Sequence, residues 1–238
     1  MQRIFSPFDA LQKSSRSIVC IWLNGEPTAI GIRAQKIWNR AEYRVSTDGG
    51  VNEIFRRNED VEWPHVVCGD FDSIDKTIDL RSAEKVALPD QDHTDLTKTI
   101  KWCLEQKSNA KWSFNKLVVL GGLNGRFDHT MSTLSSLLHF IDQSTEIIVI
   151  DSNNMVVAVP EGESKINIEL EMTSRMCGVI PIAQKTTVVT SNGLKYEMAD
   201  HLLAFGVCVS SSNEVISNQI TLNTTAPLIF TIELNQKS

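Results

Sequence analysis

An N-terminal parallel-sheet α/β domain followed by a C-terminal all-β sandwich is the fold class that this sequence predicts, on three observations. Short β-branched runs alternate with helix-period segments up to Ile150. The pattern then changes to closely spaced strand-like runs parted by Gly, Pro, Asn and Ser. The 238 residues leave room for two cores. In the first part, Ser17 to Leu23, Tyr43 to Thr47, His65 to Cys68, Lys85 to Leu88, Lys116 to Leu120 and Glu146 to Ile150 read as strands. The clearest helix between them runs from Thr94 to Lys107, with Leu96, Ile100, Cys103 and Leu104 on one face. A second runs from Thr130 to Asp142, with Met131, Leu134, Leu138 and Ile141 on one face. Both start beside capping Ser, Thr or Asp residues. After Asp151, strands are expected at Met155 to Val159, Lys165 to Leu170, Thr187 to Thr190, Leu202 to Val209, Glu214 to Leu222 and Leu228 to Leu234. The expected domains are residues 1–151 and 152–238, joined at Ser152-Asn153-Asn154.

Composition narrows the function. With 42% hydrophobic and 22% charged residues the chain is an ordinary globular protein. A net charge of −6 without a Lys/Arg run argues against nucleic acid. The longest apolar runs fall far short of the ~20 residues that span a bilayer, and the N-terminus lacks a secretory core, so no membrane partner and a cytoplasmic location are expected. Five cysteines without a close pair, three of them inside apolar runs, read as buried thiols of a reduced protein.

Four of the expected strands run into polar clusters at their C-terminal ends. These are Thr47-Asp48-Gly49-Gly50, Gly69-Asp70-Phe71-Asp72-Ser73, Pro89-Asp90-Gln91-Asp92-His93-Thr94-Asp95 and Gly121-Gly122-Leu123-Asn124-Gly125-Arg126-Phe127-Asp128. In a parallel sheet these ends share one edge, where ligands of open α/β sheets bind. Carboxylates packed there repel unless a hard divalent cation neutralises them, and all-oxygen ligation favours Mg²⁺. Such an ion usually also holds phosphates, and the flanking glycines let backbone N–H groups approach phosphate oxygens. Lys98 and Arg126 supply positive charge, and Asp95 and Lys98 share a helix face at i,i+3. A nucleotide triphosphate with Mg²⁺ is the ligand this pattern calls for. Neither a Walker A loop nor a dinucleotide Gly-x-Gly-x-x-Gly is present.

Taken in order, Asp-Gly-Gly-Val-Asn (48–52), Gly-Asp-Phe-Asp-Ser-Ile (69–74), Pro-Asp-Gln-Asp-His-Thr-Asp (89–95) and Gly-Gly-Leu-Asn-Gly-Arg-Phe-Asp-His (121–129) resemble the thiamine pyrophosphokinase family. The second part is similar to the eukaryotic form of that family at Cys-Gly-Val-Ile-Pro-Ile (177–182), Thr-Ser-Asn-Gly-Leu-Lys-Tyr (190–196) and Phe-Gly-Val-Cys-Val-Ser-Ser-Ser-Asn (205–213). The resemblance implies an enzyme that moves a diphosphate group from ATP to the thiamine hydroxyl, releasing AMP. It further implies a homodimer whose active sites each combine the α/β domain of one subunit with the sandwich of the other. Carried over by motif, Asp48, Asp70, Asp72 and Asp95 are the catalytic and metal carboxylates. The nucleotide contacts are Asp70, Asp72, Thr94, Asp95, Lys98, Arg126 and Asp128. Gln91, Tyr196, Ser210, Ser212 and Asn213 fall at the thiamine positions. Animal members tend to carry Trp where this chain has Tyr196, a weaker platform for the cationic thiazolium. Two other readings stay open: a phosphohydrolase using Asp70 as nucleophile, and a thiamine or nucleotide sensor without turnover.

Overall fold

The computed structural model describes residues 2–12, 17–25, 30–57, 60–80, 82–90 and 92–235. Along the chain the strands are β1 (Arg3–Phe5), β2 (Ile18–Trp22), β3 (Tyr43–Thr47), β4 (Val66–Gly69), β5 (Glu84–Ala87), β6 (Lys116–Leu120), β7 (Glu146–Ile150), β8 (Asn154–Val159), β9 (Gly162–Asn167) and β10 (Thr173–Ile180), then β11 (Thr187–Asn192), β12 (His201–Leu203), β13 (Ser210–Glu214), β14 (Gln219–Thr224) and β15 (Leu228–Leu234). The helices are α1 (Ile32–Arg40), α2 (Gly50–Arg57), α3 (Asp95–Ser108) and α4 (Phe127–His139). Two compact units emerge: one of residues 13–136 and 149–152, the other of residues 1–12, 137–148 and 153–238.

In the first unit the strands run parallel in the order β6-β2-β3-β4-β5. Every residue of β2 and β6 is buried, as expected where helices cover both faces of a parallel sheet. Trp22 and Trp38 meet edge to face at 5.3 Å, and the Trp38 indole N–H donates to the Glu62 carbonyl at 2.6 Å. Both rings are therefore core, with their one polar atom accounted for in Trp38. Successive strands β2 to β5 step outward in one direction while β6 returns to the other side of β2. Strand order therefore reverses at β2, and the carboxyl edge beside it opens a crevice.

The second unit holds one sheet in the order β1-β9-β14-β11-β12 and the antiparallel ladder β13-β10-β15-β8. Its inward side chains include Ile166, Val189, Leu203, Ile220, Phe230 and Ile232, all nearly inaccessible to solvent. Here the sequence reading needs correction in three places. Residues 1–12, expected in the α/β domain, belong to this unit because β1 adds a parallel edge to β9, Arg3 facing Ser164 and Phe5 facing Ile166. Strand β10 was not foreseen. Arg175 has φ 72°, and the register shifts between Thr173 and Cys177, which breaks the alternation of apolar and polar residues. The runs at 202–209 and 214–222 are not continuous strands. Chain reversals interrupt them at Ala204–Cys208 and around Ser217, whose hydroxyl accepts from the Gln219 N–H at 3.3 Å.

Cysteine chemistry follows from burial. Cys20, Cys68, Cys103 and Cys177 are buried, and burial pushes all four thiols up, those of Cys68 and Cys177 to about 12. Since the thiolate is the reactive form, Ellman's reagent is expected to titrate at most one thiol, Cys208, in the folded protein and all five in guanidinium. Rapid reaction of two or more native thiols would contradict this packing.

Candidate active site

The turns that follow β3 and β4 bring three carboxylates together. Oxygens of Asp48, Asp70 and Asp72 all lie within 4.8 Å of one another. Asp48 is 2% exposed; its Oδ1 accepts the Gly49 N–H at 2.6 Å, while Oδ2 is buried without a hydrogen-bond partner. Burial drives the Asp48 carboxyl above the usual range; the Gly49 N–H opposes this, and Asp95 and Asp70 add to it. Asp70 moves the other way, chiefly because its carboxylate accepts the Asp72 N–H, at 3.3 Å. The Ser73 hydroxyl donates to Asp72 Oδ1 at 2.8 Å. A buried carboxylate oxygen left unpaired beside two more acids is a costly arrangement in isolation. It fits a hard divalent cation with oxygen ligands.

Asp95 is not one of these three. It opens α3, lines the same cavity as Asp48, and its Oδ1 pairs with Lys98 Nζ at 2.8 Å. Lys98 is 8% exposed and also donates to the Leu88 carbonyl at 3.2 Å, so its ammonium is fixed rather than free to swing. Thr94 caps α3, its hydroxyl accepting the Thr97 N–H at 3.4 Å. Arg126 and Asp128 are exposed and form a two-point ion pair at 3.1 and 2.6 Å, which raises the guanidinium pKa and lowers that of the carboxyl. Asp90 pairs with His93 at 2.8 Å, and the Asp92 N–H is the larger cause of its lowered pKa.

A cavity of about 320 Å³ lies along the carboxyl edge, lined by Leu23, Asn24, Thr47, Asp48, Ser73, Thr94, Asp95, Leu96, Gly122, His129, Ser132 and Thr133. It spans the reversal of strand order, since Leu23 and Asn24 follow β2 and Gly122 follows β6. Gly122, at φ 83°, has room for no side chain, because a Cβ would stand 2.7 Å from Thr133 Oγ1 and 2.9 Å from Leu23 Cδ1. Asn24 could have been found by following β2 to its end, as was done for the other strands. Ser132 and Thr133 sit on a helix whose pattern does not single them out.

In the second unit, Asn213 is 3% exposed and wholly engaged. Its carbonyl accepts from the N–H groups of Tyr196 (3.1 Å) and Glu214 (2.8 Å), and its amide donates to the Tyr196 carbonyl (2.9 Å). The thiamine role expected for Asn213 is therefore corrected to one of shaping the loop, because no donor or acceptor of its side chain is left for a ligand. Ser210 lies beside that amide at 3.5 Å, and Ser212 is exposed with φ 61°. The Tyr196 ring is 62% exposed, with Lys195 Nζ 5.8 Å from its centroid and paired with Glu214 at 2.8 Å. Gln91 lies outside the described residues.

Comparison with known proteins follows this geometry. The family sequence model described as "Thiamin pyrophosphokinase, catalytic domain" matches residues 34–149, and that described as "Thiamin pyrophosphokinase, vitamin B1 binding domain" matches residues 163–229. The chain is 59% identical to thiamin pyrophosphokinase 1 of Caenorhabditis elegans over 234 residues, covering 98% of this chain and 96% of the relative. It is 30% identical to thiamine pyrophosphokinase 1 of Arabidopsis thaliana over 218 residues, covering 84% and 81%. Among solved structures, thiamin pyrophosphokinase from Candida albicans shares the fold with a TM-score of 0.83 at 21% identity, over 98% of this chain and 93% of that one.

Proposed function

The chain belongs to the thiamin pyrophosphokinase family, and from that premise we propose that it transfers a diphosphate group from ATP to the hydroxyl of thiamine, giving thiamine diphosphate and AMP. The observation that carries the reading within the site is the trio Asp48, Asp70 and Asp72 at one end of a cavity that also holds Asp95, in a chain whose two parts both match the family. In the reaction the thiamine oxygen forms a bond to the β-phosphorus, the bond from that phosphorus to the α-phosphate oxygen breaks, and the hydroxyl proton is lost.

Asp48, Asp70 and Asp72, with Asp95 beside them, would hold Mg²⁺, which supplies charge neutralisation for the phosphate oxygens. Lys98, held in place by Asp95 and the Leu88 carbonyl, offers a fixed ammonium to the transferred group. Arg126 meets nucleotide phosphate by exchanging its Asp128 partner for a phosphate oxygen; both side chains are exposed, so the exchange costs little. Thr94 and the first turn of α3 present helix N-terminal polarity to the same ligand. Within the β unit, Tyr196 supplies a ring face for the thiazolium and Ser210 and Ser212 supply hydroxyls, with Gln91 contributing from the α/β side. The α/β and β domains, cut at 151/152 with the N-terminal strand as an exception, would form sites between two subunits of a homodimer located in the cytoplasm.

Phosphorus NMR of the purified protein with thiamine, ATP and Mg²⁺ tests the proposal. AMP and thiamine diphosphate are expected, each requiring both substrates. ADP would instead identify a monophosphate kinase, and free phosphate a hydrolase. A second test concerns Tyr196. Trp binds cations better than Tyr by a few tenths to about 1 kcal/mol at exposed sites, so Tyr196→Trp is expected to lower the thiamine KM by about 2- to 5-fold and to leave the ATP KM unchanged. An unaltered thiamine KM would remove the ring from the site.

A further inference from the structure

The wall that α3 and α4 give the cavity contains a chain of hydroxyls leading inward from Thr94. Thr94 Oγ1 lies 3.1 Å from Thr97 Oγ1, which lies 2.7 Å from Ser136 Oγ, and the Ser136 hydroxyl donates to the Ser132 carbonyl at 3.0 Å. Thr97 is 9% and Ser136 2% exposed, so the inner members depend on one another for partners. A carbonyl oxygen can only accept, and each hydroxyl has a single hydrogen. The Ser136 hydrogen is spent on Ser132; the Thr97 hydroxyl therefore donates to Ser136, and the Thr94 hydroxyl donates to Thr97. The Thr97 N–H, which points at Thr94 Oγ1, agrees with this order because it too needs an acceptor there.

We propose that Ser136, which does not line the cavity, is a positioning residue: by ending the chain it turns the Thr94 hydrogen inward and makes Thr94 an acceptor toward the ligand. The group that meets Thr94 is then an O–H donor and not a phosphate oxygen. It is either a water on the divalent cation or a ribose hydroxyl of the nucleotide. The inference rests on the nucleotide and metal reading given above. Removing the Ser136 hydroxyl leaves Thr97 with Thr94 as the acceptor for its hydrogen, which frees the Thr94 hydrogen to point into the cavity and meet the donor head on.

The test compares wild type with Ser136→Ala, Thr94→Val and Thr94→Ser. One arm follows Mn²⁺ binding to the nucleotide-free protein by electron paramagnetic resonance; the other measures KM for ATP and for its 2′- and 3′-deoxy analogues. Loss of one hydrogen bond corresponds to about 5-fold. If the donor is a metal-bound water, the Mn²⁺ Kd rises about 5-fold in Ser136→Ala and Thr94→Val and stays at the wild-type value in Thr94→Ser. If it is a ribose hydroxyl, Mn²⁺ binding is unchanged. The wild-type preference for ATP over one deoxy analogue then shrinks about 5-fold in the same two variants. Equal Mn²⁺ binding together with an unaltered ratio of ATP to deoxy analogues in Ser136→Ala overturns the proposal, whatever happens to the absolute rate. Should Ser136→Ala not fold, Thr97→Val cuts the chain one step earlier and carries the same expectation. Failure of the functional reading itself is distinguishable, because it shows in the wild type as an absence of AMP.

Discussion

Asp72→Asn is expected to lower turnover by at least about 100-fold while leaving the fold unchanged. Asn has the shape of Asp without its charge, and its carbonyl oxygen can still accept the Ser73 hydroxyl that now donates to Asp72 at 2.8 Å. The side chain is exposed, so no packing or buried charge is altered. What disappears is one of the three negative charges whose oxygens lie within 4.8 Å of one another. Removing a principal electrostatic group of an active site typically costs a factor of 10² to 10³. Raising the divalent cation concentration should recover part of the rate, because the site left behind binds the ion more weakly rather than not at all. The thiamine KM should stay put, since Asp72 has no role in recognising the ring. Steady-state AMP formation and a circular-dichroism melt decide the matter together. Turnover like that of the wild type, with an unchanged melt, would take Asp72 out of the reacting centre.

That Asp72 could be singled out before any coordinates follows from one geometric rule. Strands that alternate with helices lie parallel, parallel strands end on one edge, and Asp48, Asp70, Asp95 and Gly122 all follow such ends. The sequence pattern therefore carried the crevice as well as the sheet. It did not carry Asn24, because the search followed acids and β2 ends in an amide. It did not carry Ser136, whose role depends on which turn of α4 faces which turn of α3. In the β unit, β1 is only three residues long and pairs with a strand more than a hundred positions away, so no local period reveals it. Strand β10 escaped because a left-handed residue, Arg175, throws its side chains out of alternation. Asn213 was misread for a different reason. Residues that touch a ligand and residues that hold those residues in place recur together in a motif, and only the hydrogen-bond census separates them. All four hydrogen bonds traced to its amide end on Tyr196, Glu214 and Ser210.

Gly69→Ala is expected to be as damaging to activity as the loss of a carboxylate, although it adds one methyl group and removes nothing. Gly69 ends β4 at φ 153°, within the region that glycine alone adopts readily, and its carbonyl accepts from the Leu88 N–H at 2.9 Å, so the backbone is not free to relax. A Cβ there would stand 2.7 Å from Asp48 Cγ, 2.8 Å from its Cβ and 3.0 Å from Oδ2. Asp48 is buried and cannot yield without leaving the group it forms with Asp70 and Asp72. Backbone strain and overpacking together cost about 3 kcal/mol, which for a chain of this size lowers the melting temperature by roughly 6–12 °C. Turnover should fall by at least about 100-fold, since a displaced Asp48 no longer faces the other two carboxylates. Gly162→Ala provides the control. It has a positive φ of 97° but nothing within 4 Å of the new methyl, so it should cost only backbone strain and leave turnover intact. The double variant Gly69→Ala with Asp48→Ala separates the two effects. Removing the Asp48 carboxylate relieves the contacts to Cγ and Oδ2, so the melting temperature should rise relative to Gly69→Ala alone while activity stays lost. If the double variant instead melts no higher, the strain lies in the backbone, and the close packing of Asp48 on Gly69 is not what holds the carboxylate in place.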